Sequence, residues 1–248
     1  MRIIYNNIIN NVSAGSIVAS SETINYEVSH IQDDRLSYNW KSDSATAQTI
    51  IFDLGSALEV NTLSLIGHNI IDGTIITFEA NATDSWGAPS VSQALTWNEN
   101  AILYFFSAMQ EYRYWRLVLT GQGDIEIGKI VIGTYIQINP SSLLNFKVTE
   151  MNDDIRLYNK DRQRISLRGD KWRKVELDFP KTAYSTINLI ETMFDTVGNF
   201  RSIVFCNFDT IRDYQIVEPL YCSIVGDLTF NHVDNMAFSY SLVLEEDL

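Results

Sequence analysis

Ile50-Ile51-Phe52-Asp53-Leu54-Gly55 is the stretch of sequence from which the fold of the first half can be worked out. Apolar and polar residues alternate in it, and β-branched and aromatic side chains dominate, as in a strand with one buried face. Its final glycine allows a sharp change of direction. The chain continues into a second strand-like run at 60–69, and a third, at 112–119, follows about sixty residues after the first.

Strand-like runs recur through the first half, with turn residues between them. They lie at 2–5, 49–53, 62–67, 74–80, 101–106, 114–119 and 126–132. Turn signals such as Asp72-Gly73 and Gly121-Gln122-Gly123-Asp124 separate several of these runs. Short strands at regular spacing predict a sandwich or barrel built on an antiparallel sheet. The predicted fold class is therefore mainly β.

The chain is long enough for two domains. It has 248 residues, of which 46% are hydrophobic and 12% aromatic, and typical domains run to roughly 100–150 residues. A break is predicted around Ile138-Asn139-Pro140, because proline restricts the residue before it to extended geometry. We therefore predict one domain at 1–138 and another at 139–248.

The second domain is predicted to be a β-sandwich with one α-helix near 182–197. The helix is indicated by apolar residues three or four positions apart: Tyr184, Ile187, Ile190, Met193, Phe194 and Val197. Gly198 is placed to end it, and Thr182 or Ser185 to cap its start. Strands are predicted at 155–158, 174–179, 202–208, 213–217, 220–225, 228–230 and 236–244.

The charge of the chain argues against non-specific binding of nucleic acid. The formal net charge is −13, whereas a phosphate backbone requires a basic surface. The densest basic stretch contains Arg162, Arg164, Arg168, Lys171, Arg173 and Lys174, interrupted by Asp170. We interpret it as the charge of one surface or as a protein–protein contact, with a nucleic-acid site as the alternative.

No targeting or cofactor motif is found in the sequence. There is no run of about 18 apolar residues to span a membrane. Residues 1–7 lack the features of a signal peptide, which predicts folding in a cytoplasm. Cys206 and Cys222 are too few for a four-ligand metal site. We expect buried free thiols, while a disulfide stays open because it depends on the distance between the two Cα atoms.

The first half resembles the discoidin family, the coagulation factor 5/8 type C group of galactose-binding-like jelly rolls. The resemblance covers roughly residues 15–136 and is carried by Asp34, Trp40-Lys41-Ser42, Phe52-Asp53-Leu54-Gly55, 62–66, Arg113-Tyr114-Trp115-Arg116-Leu117 and 125–130. It implies a jelly-roll β-sandwich that binds rather than catalyses. The residues expected to act structurally are Trp40, Asp53, Gly55, Arg113, Trp115 and Arg116.

The same resemblance implies where ligands and metals would be bound. Family members use loop tips at one end of the jelly roll, and the candidate ligand or partner contacts here are Tyr38, His68, Asn69, Trp86 and Trp97. Many members hold calcium between the Asp loop and a glutamate of the last strand, where this chain has Lys129. An ammonium group would compete with the cation, so we expect no metal, although Asp33, Asp34 and Glu126 could supply oxygens.

The second half resembles ring-forming domains of tailed-phage tail-tip proteins, the distal-tail and minor-tail families. The resemblance is carried by the order of a strand at 172–179, the helix, strands from 198 onward and a final alternating strand from Phe238 to Glu246. It implies a tail-tube-like β-sandwich whose sheets join between subunits to line a lumen. An acidic lumen would let DNA pass without adhering, because like charges repel.

No catalytic constellation is recognised. His30, His68 and His232 lie far apart, without the spacing of a metal site. The sequence has neither a nucleophile elbow nor a phosphate-binding loop. Paired carboxylates brought together from separate strands stay open, but the acidic pairs, such as Asp33-Asp34 and Asp153-Asp154, stand in polar surroundings. We expect a protein that is not an enzyme and that has no cofactor.

Two hypotheses of function follow. The first is a structural component of a phage tail tip or baseplate, assembled in the host cytoplasm and located in the virion. It would form a homo-oligomeric ring through its C-terminal domain, contact tail tube, hub and fibre proteins, and display the jelly roll for docking or host contact. The alternative is a carbohydrate-binding or adhesion protein that recognises a host-surface glycan.

Overall fold

The chain folds into two compact units. A computed structural model describes residues 1–138, 145–158, 160, 162, 164–209, 214–234 and 237–248. The first unit contains Met1–Gln137 together with Ile203–Leu220, and the second contains Ile138–Ser202 and Tyr221–Leu248. Ile203–Leu220, which follows the boundary predicted at 138, therefore belongs with the first unit.

The described residues are mostly in β-strands, with one α-helix, as the sequence predicts. The strands are β1 (Arg2–Asn7), β2 (Ile17–Ala19), β3 (Trp40–Lys41), β4 (Ala47–His68), β5 (Ile75–Asn81), β6 (Val91–Ala94), β7 (Ala101–Thr120), β8 (Glu126–Gln137), β9 (Asn145–Asn152), β10 (Ile155–Tyr158), β11 (Arg164–Leu167), β12 (Lys171–Ala183), β13 (Ile203–Asp209), β14 (Tyr214–Ile224), β15 (Asn231–Asp234) and β16 (Ala237–Glu246). The helix is α1 (Tyr184–Val197). Short 3₁₀ turns occupy Ile8–Asn11, Ala14–Ser16 and Val28–Gln32.

The first unit is an antiparallel β-sandwich in which β4 and β7 contribute to both layers. The first part of β4 pairs with β2 and with the end of β7, which in turn pairs with β5 and then β6. The last part of β4 pairs with the start of β7 and with β8, and β8 continues through β1 to β13. Strands that pass from one layer to the other are a known way to build the corners of a sandwich.

The sequence predicts each of these two long strands as a pair of shorter ones. In the structure the intervening residues stay extended, and the change of layer is made by shifts in register between Asp53 and Leu58 and between Val60 and Thr62. Gly55 lies within the first shift with a φ of 78°. Because L side chains rarely adopt that backbone conformation, glycine suits this corner.

The core of the first unit lies between its two layers. Trp40 and Trp115 are fully buried there, and the Trp115 ring stacks on Phe78 with 4.8 Å between ring centroids. Phe52 and Leu65, from the two ends of β4, belong to the same hydrophobic cluster. Burying large apolar side chains from both layers is the main favourable term for such a sandwich.

The second unit combines a sheet, a hairpin and the helix. Strand β12 pairs with β9 on one side and β16 on the other, and β16 also pairs with β15 and with the end of β14. Strands β10 and β11 form a separate two-stranded sheet. Helix α1 packs against β12 and β16 through its buried face, formed by Ile187, Ile190, Met193 and Val197.

The ends of the helix differ in how well they match the prediction. Gly198 ends it as expected, with a φ of 54° and a backbone N–H that donates to the Phe194 carbonyl at 2.7 Å. The capping prediction was wrong, because the residue before the first turn is Ala183 and makes no side-chain cap. Thr182 is instead a buried residue of β12, and Ser185 lies within the first turn of the helix.

Some predicted elements do not match the structure. The strand predicted at 228–230 was wrong, since those residues lack strand pairing and the next strand begins at Asn231. The predicted break at 138–142 mostly falls on 139–144, outside the described residues, as do 213 and 236 at the starts of two predicted strands. Both cysteines are free and buried. Burial raises the pKa of the Cys206 thiol to about 12, which keeps it protonated at neutral pH.

Candidate ligand and partner sites

The Lys129 ammonium group occupies a cage of oxygen atoms in the first unit. Its side chain is 1% exposed. The Nζ atom lies 2.8 Å from Asp34 Oδ1, 3.0 Å from the carbonyl oxygens of Gln32 and Asp33, and 3.1 Å from Asn10 Oδ1. This oxygen set is of the kind that also suits a hard cation. The lysine thus supplies the positive charge that the sequence analysis expected to compete with a metal.

The other carboxylates considered for a metal site are engaged elsewhere. Asp33 accepts two hydrogen bonds from the Arg35 guanidinium, both at 2.8 Å. Glu126 accepts from Lys41 Nζ at 2.7 Å and from Asn39 Nδ2 at 3.1 Å. Among the described residues, no cluster of three or more His, Cys, Asp or Glu side chains is arranged to hold a metal ion.

The Asp33–Arg35 pair predicts a dependence of stability on pH. Hydrogen bonding by Arg35 lowers the pKa of Asp33 to about 2. A carboxyl group whose pKa is depressed by folding contributes stability above its unfolded pKa, near 4, and loses it as the pH falls through about 2. We expect Asp33→Asn to melt at a lower temperature than the wild type at pH 6, with the difference vanishing near pH 2. Thermal melts from pH 6 to 2 measure this, with Glu99→Gln, at an exposed carboxylate of the first unit, as the control. A difference that persists at pH 2 would assign the effect to packing.

Tyr38 lies in the loop after the 3₁₀ turn Val28–Gln32. Its ring stacks on His30, with 3.5 Å between centroids, and the Arg35 guanidinium carbon lies 5.0 Å from its centroid. His30 is held in turn by Glu27, at 2.9 Å from Nε2. These neighbours cover part of the ring, which is still 42% exposed, so the contact role of Tyr38 stays a prediction.

Asn69, which directly follows β4, is hydrogen-bonded to the segment that leads into β8. Its Nδ2 donates to the Asp124 carbonyl at 2.9 Å, and its Oδ1 accepts the Glu126 backbone N–H at 2.8 Å. The Asn69 carbonyl accepts a further bond, from Gln122 Nε2 at 3.0 Å. Since both ends of the amide are engaged within the chain, this residue fixes the start of β8 and offers little to a ligand.

His68 is the last residue of β4 and directly precedes Asn69. Its Nδ1 accepts the Ile70 backbone N–H at 3.2 Å. Burial lowers the pKa of the imidazole, although the backbone of Asn98 acts in the opposite direction. The ring is therefore neutral at pH 7 and suited to hydrogen bonding rather than to binding an anion by charge.

Trp86 is half-buried in the loop between β5 and β6. The Arg116 guanidinium carbon lies 4.5 Å from the ring centroid, and the indole N–H donates to Asp84 Oδ1 at 2.6 Å. Arg116 also donates to Glu79 Oε2, with Nε at 2.8 Å. Trp86 therefore covers an ion pair that links β7 to β5.

Trp97 borders an open groove of about 250 Å³ on the first unit. Its indole N–H donates to the Ile70 carbonyl at 2.7 Å, which fixes the ring beside the end of β4. The residues that line the groove are Thr96, Trp97, Asn98, Ala101, Leu103, Phe105 and Pro219. The groove thus has an aromatic and aliphatic surface with two polar side chains at one end.

The structure brings only part of the predicted contact set together. Ile70 links His68 and Trp97, because its N–H donates to His68 Nδ1 and its carbonyl accepts from the Trp97 indole, and Asn69 stands between His68 and Ile70 in the chain. Neither Tyr38 nor Trp86 is among the described residues that line the groove. The sequence analysis missed Phe105 and Pro219. Pro219 lies about 120 residues beyond Trp97 in the chain, and no local pattern places the two side by side.

The residues expected to act structurally lie in the framework of the sandwich. Trp40 donates its indole N–H to the Ser21 carbonyl at 3.2 Å. Asp53 accepts from Arg113 at 2.6 and 2.7 Å and also accepts the Gly55 backbone N–H at 2.8 Å. The Arg113 bonds lower the pKa of Asp53. This corner is thus closed by an ion pair and a backbone bond to one carboxylate.

Because Arg113 and Arg116 are an odd number of positions apart on β7, alternation predicts that at most one of them faces inward to pair with a carboxylate, with Asp53 as a possible partner. In the structure, Arg113 pairs with Asp53 on β4 and Arg116 with Glu79 on β5. Both pairs keep some solvent exposure.

Comparisons with known proteins add the following observations. No protein-family model matches the chain, and no curated protein matches it. Among solved structures, chitosan-binding module 1 of a chitosanase/glucanase from Paenibacillus sp. IK-5 is 20% identical, with 52% of this chain and 99% of that chain covered and a TM-score of 0.42. The lectin domain of lectinolysin in complex with Lewis B antigen is 14% identical, with coverages of 51% and 95% and a TM-score of 0.42.

A fucose-binding module from Streptococcus pneumoniae is 11% identical, with coverages of 52% and 95% and a TM-score of 0.43. Within the described ranges, no helix has the length and apolar character needed to span a membrane.

Proposed function

We propose that the chain is a non-catalytic binding protein whose first unit binds a glycan. The observation that carries this proposal is the Trp97 groove, with its fixed indole ring and two adjacent polar side chains. Ligand sites are typically concave and mostly apolar, with a few placed polar groups that set orientation. A sugar ring has the matching chemistry, since it presents an apolar C–H face and a rim of hydroxyl groups.

The groove offers an apolar surface for the C–H face of a sugar and polar groups for its hydroxyls. The indole N–H of Trp97 is already bonded to Ile70, so the ring contributes its apolar surface rather than its donor. Thr96 and Asn98 are exposed beside it. Asn98 Oδ1 accepts the Asn100 backbone N–H at 3.0 Å, which orients the amide group. This arrangement favours a neutral sugar over a charged one.

We expect Trp97→Ala to weaken glycan binding by about tenfold or more, which corresponds to about 1.4 kcal/mol. The full chain would first be screened on an immobilised glycan array, and the best glycan then titrated by calorimetry. Trp86→Ala is the matched control, because it removes the same side chain from outside the groove. Asn98→Ala provides a second test in case Trp97→Ala reduces folding.

Two results would overturn the glycan proposal. One is the absence of saturable binding to any glycan on the array. The other is equal affinity of the wild type, Trp97→Ala and Asn98→Ala for the glycan that is found. Melting temperatures of all variants establish that each is folded under the conditions of the titration.

The second candidate function is that of a structural component of a phage tail tip. In this proposal the second unit forms a homo-oligomeric ring that contacts tail tube, hub and fibre proteins, and DNA passes through the lumen. The chain would then be located in the virion and assembled in the host cytoplasm. The observation that favours it is the exposed apolar face of the β10–β11 hairpin, on which Ile155, Leu157 and Leu167 are each more than half exposed.

The two functions are compatible and are tested separately. Electron microscopy of purified chain shows whether rings form, and immunogold labelling of phage particles shows whether the chain is part of a tail. A chain that stays monomeric at about 50 µM, well above the micromolar range of ordinary specific association, would contradict the assembly function and leave the glycan proposal untouched.

A further inference from the structure

The β10–β11 hairpin presents an apolar face to solvent. Its two strands pair only with each other among the described residues, with Ile155 opposite Leu167 and Leu157 opposite Ile165. Because side chains alternate across a strand, Ile155, Leu157 and Leu167 share one face. They are 53%, 53% and 55% exposed. A two-stranded hairpin is at best marginally stable in water, so a covering partner would stabilise this one.

The hairpin is also the basic part of an acidic chain. The segment 155–168 contains Arg156, Lys160, Arg162, Arg164 and Arg168, with one acidic residue, Asp161. Its formal charge is therefore +4 within a chain of −13, so the remainder carries −17. The base of the hairpin forms an open groove of about 360 Å³ that is lined by Asp154, Arg164, Ser166, Leu167, Arg168 and Lys171. A partner suited to this surface is acidic and carries exposed apolar side chains.

Helix α1 has the complementary surface. Tyr184, in its first turn, is 57% exposed. At 100° per residue, Tyr184, Glu191 and Asp195 lie on the same side of the helix. The helix contains no lysine or arginine. In the described part of the chain neither carboxylate is in an ion pair, so both charges are available to a partner.

We propose that the β10–β11 hairpin of one copy docks on the exposed face of helix α1 of a second copy. The apolar face of the hairpin would cover Tyr184, while Arg164 and Arg168 would meet Glu191 and Asp195. Two hairpins facing each other would bring like charges together, which disfavours a symmetric hairpin–hairpin contact. Repeated in one direction, the hairpin–helix contact generates a ring or a filament, and formed reciprocally it closes a two-fold dimer.

This inference deepens the assembly function by naming its contact surfaces, and a pair of charge reversals tests it. We expect Arg164→Glu/Arg168→Glu and Glu191→Lys/Asp195→Lys each to raise the dissociation constant of the oligomer by about tenfold or more. The protein that carries all four changes should regain association. Mass photometry and sedimentation velocity on the full chain measure both effects. Lys147→Gln/Lys181→Gln is the control, because it removes two exposed lysine charges elsewhere in the second unit without placing an acid beside their partners, Glu176 and Asp234.

The outcomes separate the contact from the function on which it rests. A wild type that stays monomeric would overturn both. Oligomers that persist in both double variants would overturn the hairpin–helix contact. Assembly would then have to use another surface. Weakened association in both double variants without recovery in the fourfold variant would show that the two surfaces do not meet each other. Recovery with the control unchanged is the supporting result.

Discussion

Lys129→Met is expected to lower the free energy of unfolding of the first unit by about 3 kcal/mol, because it removes a buried ammonium group that donates to several oxygen atoms. The Lys129 side chain is 1% exposed, and its ammonium group bonds the carbonyl oxygens of Gln32 and Asp33, which lose this donor in the variant. Asn10 Oδ1 keeps the bond from Asn7 Nδ2, and Asp34 is partly exposed and can recover solvation, so the figure counts mainly the two carbonyl oxygens. Methionine keeps the length of the side chain and removes only the donor and its charge.

Urea denaturation followed by tryptophan fluorescence measures this loss, since Trp40 and Trp115 are buried in the first unit. Lys41→Met is the matched control. Its side chain is 30% exposed, and its ammonium group bonds Glu126 at the surface, where ion pairs contribute little to stability. If the free energy of unfolding falls by less than about 1 kcal/mol in both variants, the bonds of Lys129 would contribute no more to stability than a surface ion pair does.

Gly133→Ala is expected to cost about 3 kcal/mol or more, at the upper end of the range for overpacking. Gly133 lies on β8 between β4 and β1, opposite Thr62 and Asn7. A Cβ atom at this position would overlap the backbone carbonyl of Asn6. Backbone cannot swing aside as a flexible side chain can, so β1 would have to separate from β8.

Thermal unfolding and hydrogen exchange of the β1 amides measure the effect. Gly87→Ala is the control, because a Cβ atom there meets nothing within 4 Å. We expect faster exchange at Ile3 and Ile4, which pair with both β8 and β13. Unchanged exchange of these amides in a folded Gly133→Ala protein would contradict the prediction.

Local patterns predicted most of the elements but not how they join. Alternation along 49–53 and 114–119 identified strands because each has one face on the core. It did not show that β4 and β7 each continue through both layers, since the corner at Gly55 resembles a turn. Helix α1 was predictable because its buried residues recur every three or four positions.

The candidate sites depend on contacts that are distant in the sequence. Lys129 was singled out by its position, yet its oxygen ligands come from two segments about 100 residues earlier. Pro219 reaches the Trp97 groove only because Ile203–Leu220 joins the first unit. Three predicted contacts, Tyr38, Asn69 and Trp86, have the residue types of a binding site, but their side chains are engaged within the chain. Residue type alone does not distinguish a ligand contact from a contact within the chain.

The discontinuous first unit has a consequence for synthesis on the ribosome. Strand β1 emerges well before its partner β13, which begins only at Ile203. At about 5–20 residues per second, the segment 138–202 delays that pairing by several seconds. During that time one edge of β1 has unpaired backbone groups, which are prone to pair with another chain. Newly made protein is therefore most vulnerable to aggregation after β8 has formed and before residue 220 has left the exit tunnel.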